Sequence, residues 1–179
     1  MAQATRPHPS ASSAERAGLD PARLAASNIN PSTGLATDYL NHFNEAIMVL
    51  EMLPTAPDCK EDFLAWQPMS YREHFAASPL KHRDLAIAAY DAADPAVRGK
   101  LDEIFDTLNA ALIATRDGMK LGLSPETIES LALEVAWRLK PMISRAGALI
   151  NGEPVDAQAT VQAAVDALFD HEVSTALET

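Results

Sequence analysis

The stretch DPAVRGKLDEIFDTLNAALIATRDG, residues 94–118, decides the fold class of this chain. Asp94 can cap a helix N-terminus with its side chain, and Pro95 then occupies the first helical position. Gly118 marks the C-terminal end of this helix. Between them, side chains on one stripe recur at steps of three and four residues, the spacing of one helix face: Val97, Leu101, Ile104, Leu108, Ala111 and Thr115. The pattern predicts a long amphipathic helix over about 95–117 that buries one side in a core.

Helical periodicity continues on both sides of this segment, and a sustained alternation of period two is found nowhere in the chain. Capping residues followed by proline at Ser78-Pro79 and Ser124-Pro125 open two further helices, and Pro141 is expected to kink or restart the second. Capping-box spacing also predicts two short helices between residues 58 and 75. The helix opened at Ser78-Pro79 covers about 79–92, and the other periodic stretches are 35–53 and 156–173. We therefore predict an all-α fold, a bundle of four to five main helices plus short helices.

The N-terminal residues differ from the rest of the chain. Residues 1–33 are rich in Ala, Ser, Pro and Arg and lack long apolar residues at any regular period, so they predict a mobile, disordered arm. Within this arm, Asp20-Pro21 can open one short helix. The full length of 179 residues is suited to one core of ordinary size. We therefore expect a single helical bundle domain over 34–179.

The net charge and the motifs of the chain restrict the functions that are expected of it. With 14 Lys and Arg against 25 Asp and Glu, the formal net charge is −11, which disfavours a nucleic-acid partner because such affinity depends on basic residues. The single cysteine, Cys59, is consistent with a reducing compartment, so we expect a cytoplasmic location. No apolar run is long enough for a signal segment or a membrane span. Nucleotide-binding and hydrolase motifs are absent, so no catalysis is expected.

Four of the ten aromatic residues lie in the segment 63–75, between prolines and on predicted short helices. Two interpretations of this aromatic segment are open. Its side chains can form an exposed patch that binds a partner, because aromatic and arginine residues dominate binding hot spots. They can equally pack as a lid over one end of the bundle. The predicted partner-binding residues are Trp66, Tyr71, Arg72 and Phe75.

A metal-binding site is the alternative to a partner-binding surface. Asp38, His42 and Glu45 are spaced i, i+4 and i+7, which places them on one strip of a helix. Helical bundles that bind metals combine such groups with acids from a facing helix, and the candidates here are Asp102, Glu103 and Asp106. Against this, those bundles repeat a Glu-x-x-His pair, whereas this chain has the reversed order once. The strip can also be a polar rim of the core.

The expected function is therefore that of a non-catalytic, protein-binding domain with a regulatory or adaptor role and no cofactor. The alternative function is a metal-binding helical bundle that holds iron, manganese or zinc at the carboxylate–histidine strip and supports redox chemistry. The sequence does not indicate an oligomeric state.

Overall fold

The computed structural model describes residues 18–153, and over that range the all-α prediction is confirmed. Its helices are α1 (Pro21–Ala26), α2 (Leu40–Met52), α3 (Lys60–Ala65), α4 (Tyr71–Ala77), α5 (Arg83–Ala92), α6 (Pro95–Met119) and α7 (Pro125–Asn151). Single 3-10 turns, Thr37–Tyr39 and Pro57–Cys59, lead into α2 and α3. The predicted helix over 156–173 lies outside the described residues.

The three long helices form the core. The start of α6 is the predicted one, because the Asp94 side chain accepts a hydrogen bond from the Ala96 N–H at 2.8 Å and Pro95 follows the cap. Ser124 caps α7 in the same way, through the Thr127 N–H. Helix α7 packs along both α2 and α6. The side chains buried most completely between these helices include Phe43, Leu50, Leu101, Leu108 and Leu112.

Helix α7 runs through Pro141 without a break, whereas the sequence predicts a kink or a restart. Proline has no N–H, so Pro141 cannot donate a hydrogen bond to the carbonyl of Trp137, four residues earlier. Buried Leu139 and Ile143, on either side of Pro141, anchor the helix to the core across this point. Among residues 18–153, none of the helices combines the length and apolar content that a bilayer span requires.

Helices α4 and α5 pack against each other at one end of the bundle. The capping box of α4 is formed as predicted, with reciprocal bonds between Ser70 and Glu73. Helix α5 begins at Arg83, four residues later than the predicted start at Pro79. The reason is local, because the Ser78 hydroxyl accepts the Leu80 N–H at 3.2 Å and holds the chain in a turn before the helix.

The predicted mobile arm does not extend to residue 33. In the described part of it, Leu24 on α1 and Ile29 are buried in the core. The Thr33 hydroxyl donates a hydrogen bond to the Ile150 carbonyl at 2.7 Å, which ties this segment to the end of α7. Residues 1–17 lie outside the described residues. Packing therefore begins before the predicted domain boundary, through isolated apolar residues that show no helical period.

Candidate functional site

The structure places most of the aromatic segment in the core. Phe63 is fully buried, and Tyr71 and Phe75 are 2% and 1% exposed, so these three rings are not part of a surface patch. Tyr71 and Phe75 are spaced i and i+4 on α4, which turns both rings inward. They pack in contact with each other at 4.7 Å between ring centroids. For these residues the lid interpretation holds and the exposed-patch prediction is wrong.

The two other predicted partner-binding residues lie nearer the surface. Trp66 is half-buried, and its indole N–H donates a hydrogen bond to the His42 carbonyl at 3.2 Å. Arg72 is exposed and forms an ion pair with Asp91 at 2.6 Å. Both side chains have partners within this same chain, and their role in binding another protein stays a prediction.

Two histidines meet at this lid, His42 on α2 and His74 on α4. The His42 ring stacks on Trp66 at 4.9 Å between centroids, and the His74 ring lies 6.1 Å from it. His42 is only 7% exposed, and its Nε2 atom has no hydrogen-bond partner among the described residues. His42 is therefore a core residue in an aromatic environment.

The predicted metal ligands are not brought together. Asp38 lies in a 3-10 turn that precedes α2, so the i, i+4, i+7 spacing does not run along one continuous α-helix. Its carboxylate accepts a hydrogen bond from the Asn28 side-chain amide at 2.9 Å. Glu45 is exposed, whereas His42 faces rings. Among residues 18–153, no group of three or more His, Cys, Asp and Glu side chains is placed to hold a metal ion.

Burial controls the protonation of the two histidines. It lowers the pKa of His42 from its ordinary value of 6.5, and the nearby His74 lowers it further. Burial also lowers the pKa of His74, although the Asp38 and Glu45 carboxylates oppose that shift. Both rings are therefore neutral in the folded protein at neutral pH.

We expect the protein to lose stability as the pH falls below the ordinary histidine value of 6.5. Above that pH both histidines are neutral in the folded and unfolded states and contribute no pH dependence. Below it the unfolded chain binds protons first, because the folded-state pKa values are lower, and the free energy of unfolding decreases. Urea unfolding at a series of pH values between neutral and mildly acidic measures this slope.

Two variants test whether His42 and His74 cause this decline in stability with falling pH. His42→Phe keeps a ring in the stack with Trp66 and removes the titrating group, so we expect a shallower decline in stability. His74→Asn removes the second histidine whose pKa is lowered by burial, so we expect a shallower decline in this variant as well. An unchanged slope in His42→Phe would contradict this explanation.

An exposed apolar surface lies elsewhere, on α2 and α7. Trp137 is 73% exposed and Leu133, one turn earlier on α7, is 47% exposed. Met48 and Met52 are exposed on α2, which packs along α7. An exposed ion pair between Glu51 and Lys140 crosses from α2 to α7. We call the surface formed by Met48, Met52, Leu133 and Trp137 the outer face.

Charged groups on the outer face are paired with each other. Arg138 lies beside Trp137 and forms an ion pair with Glu134 at 2.5 Å, one turn away. Lys140 is engaged by Glu51. A partner can therefore cover the apolar side chains without leaving these charges unpaired, which would otherwise oppose binding.

Comparison with known proteins gives no function to transfer, because no protein-family model, curated protein or solved structure matches this chain. Two features of the structure were not predicted as sites from the sequence. One is the outer face, whose Leu133 and Trp137 lie off the buried stripe of α7 at an i, i+4 spacing. The other is a cleft between the lid and α6, with tyrosine and carboxylate side chains in its wall.

Proposed function

We propose that this protein is a non-catalytic binding domain whose outer face receives a segment of a basic partner protein. The observation that carries this proposal is the exposure of Trp137, which is 73% open to solvent on a helix that buries its opposite side in the core. Burial of a large apolar side chain is favourable, and folding of the described residues leaves this one in water. Tryptophan is also among the residue types most enriched in binding hot spots.

The shape of the outer face supports a peptide segment as the ligand. Leu133 and Trp137 form one apolar ridge on α7, and Met48 and Met52 form another on α2. Apolar side chains at this i, i+4 spacing match the apolar face of an amphipathic helix, a recurring ligand of helical surfaces. Pro141 adds a polar feature, because the Trp137 carbonyl lacks its helical donor and can accept a hydrogen bond from the partner.

The net charge indicates the chemistry of the partner. With 14 basic against 25 acidic residues, the protein attracts a segment that carries Lys and Arg beside its apolar residues. Complementary charge speeds encounter and excludes acidic competitors, while the apolar contacts supply the affinity. The expected partner is therefore a basic amphipathic segment of another protein.

Site-specific photo-crosslinking of the full chain in its native host tests this function. One protein carries the crosslinking residue at position 137 and a control carries it at position 80, where Leu80 is exposed and is not part of the outer face. We expect position 137 to capture a basic protein, identified by mass spectrometry. With that purified partner, Trp137→Ala should weaken binding by about 30-fold or more. Leu80→Ala should change it by less than about twofold.

Several results would overturn the proposal. Crosslinks from position 137 to a second copy of the chain would assign the outer face to self-association. Crosslinks to residues 154–179 of the same chain would assign it to intramolecular packing. Equal capture at positions 80 and 137, or no capture at either position, would show that the outer face has no specific partner.

A further inference from the structure

A cleft of about 500 Å³ lies between α4, α5 and α6, and none of the residues that line it belongs to the outer face. We call it the tyrosine cleft. Its aromatic wall consists of Tyr39, Tyr71, Tyr90 and Phe105, and its polar wall includes Glu73, Asp102, Asp106 and Asn109. No Lys or Arg is among the residues that line it. The cleft therefore combines an apolar wall with three carboxylates.

Hydrogen bonding leaves the tyrosine cleft rich in acceptors. The Tyr39 hydroxyl donates its proton to the Met69 carbonyl, and the Tyr90 hydroxyl donates to Asp102 at 2.5 Å. Asp106 has no hydrogen bond or ion pair with other described residues, and the buried Asn109 Oδ1 atom has no partner. The polar groups still available at the cleft are therefore mainly oxygen acceptors, which suit a ligand that brings donors.

The electrostatic potential in the cleft is negative. Burial raises the pKa of the Tyr39 hydroxyl, and the Asp102, Asp106 and Glu73 carboxylates raise it further, so their charge reaches the aromatic wall. Two guanidinium groups lie near Tyr90, with Arg98 at 5.6 Å and Arg72 at 5.9 Å from its ring centroid, but neither side chain lines the cleft. Both guanidinium groups also have other partners. Arg98 donates hydrogen bonds to backbone carbonyls, and Arg72 forms an ion pair with Asp91.

We propose that the tyrosine cleft is a binding site for an aliphatic ammonium group, carried by a free amine or by a lysine side chain. The ammonium group supplies three donors and a positive charge for the Asp106 and Asp102 carboxylates. Its alkyl chain packs over Pro68 and Met69 at the rim of the cleft, beside the Tyr90 ring, where burial of methylene groups is favourable. Anions are excluded by the three carboxylates.

NMR titration of the full-length, isotope-labelled protein tests the site. The probes are n-butylammonium chloride for a free amine and Nα-acetyl-lysine amide for a lysine side chain. The controls are 1-pentanol, a neutral chain of similar length, and sodium chloride at matched ionic strength. We expect saturable shifts at the Asn109 side-chain amide and the Asp106 backbone with the ammonium probes only. The tighter of the two ammonium probes identifies the source of the ligand.

Two variants on α6 give a matched comparison. Asp106→Asn and Glu103→Gln each remove one carboxylate charge from exposed positions of the same helix, but only Asp106 lines the cleft. We expect Asp106→Asn to weaken ammonium binding by about fivefold and Glu103→Gln by less than about twofold. Equal losses in both variants, equal binding of pentanol or sodium, or no saturable shift would each overturn the proposal. None of these readouts involves Trp137, so the two proposals fail independently.

Discussion

Tyr71→Ala is expected to lower the free energy of unfolding by about 3–5 kcal/mol, the usual cost of truncating a buried aromatic side chain. The Tyr71 ring is 2% exposed and stacks on Tyr90 at 4.3 Å between centroids. Its hydroxyl also accepts a hydrogen bond from the Ala36 N–H at 2.9 Å, which joins α4 to the turn before α2. Chemical denaturation measures the loss, which should appear without any partner present.

Two further substitutions separate the contribution of the Tyr71 ring to stability from that of its hydroxyl group and from that of the neighbouring residue Arg72. Tyr71→Phe keeps the ring and leaves the buried Ala36 N–H without its acceptor, so a loss of about 1–3 kcal/mol is expected. Arg72→Ala removes an exposed ion pair with Asp91 and should cost less than about 1 kcal/mol. A cost below about 1 kcal/mol for Tyr71→Ala would contradict the buried lid.

Leu108→Ala should destabilise the protein by about 2–5 kcal/mol. Leu108 is fully buried at the centre of α6, which packs along α7. Truncation removes apolar contacts and leaves a cavity that long helices cannot close by small movements. Urea unfolding of the variant at neutral pH measures the change.

The same substitution at an exposed leucine serves as its control. Leu133 lies on α7 and is 47% exposed on the outer face. Leu133→Ala should therefore change the free energy of unfolding by less than about 1 kcal/mol. Similar costs at positions 108 and 133 would contradict the arrangement of the core.

The long helices were predictable because their signals are local. Asp94-Pro95 and Ser124-Pro125 specify where α6 and α7 begin, and apolar residues then repeat over several turns. The packing of Leu24 and Ile29 was not predictable in this way. Single apolar residues in a region rich in Ala, Ser and Pro show no period, and their burial depends on contacts with distant parts of the chain.

The sites were less predictable than the fold. The sequence places aromatic residues at 63–75 but does not say which way they face, and α4 turns Tyr71 inward. The metal prediction assumed one regular helix through Asp38, whereas a 3-10 turn changes the rotation of the chain there. The sequence did contain a signal for the outer face, because Trp137 lies outside the apolar stripe of α7 that is buried. The tyrosine cleft had none, because its residues come from separate parts of the chain.

The central claim is that the outer face is open and available to a partner, and tryptophan fluorescence tests it most directly. The chain has two tryptophans, so Trp66→Phe leaves Trp137 as the only emitter in the otherwise complete protein. An open indole predicts red-shifted emission and collisional quenching by acrylamide close to that of free tryptophan amide, independent of protein concentration. Blue-shifted emission that is protected from acrylamide would show that Trp137 is already covered and would contradict the account.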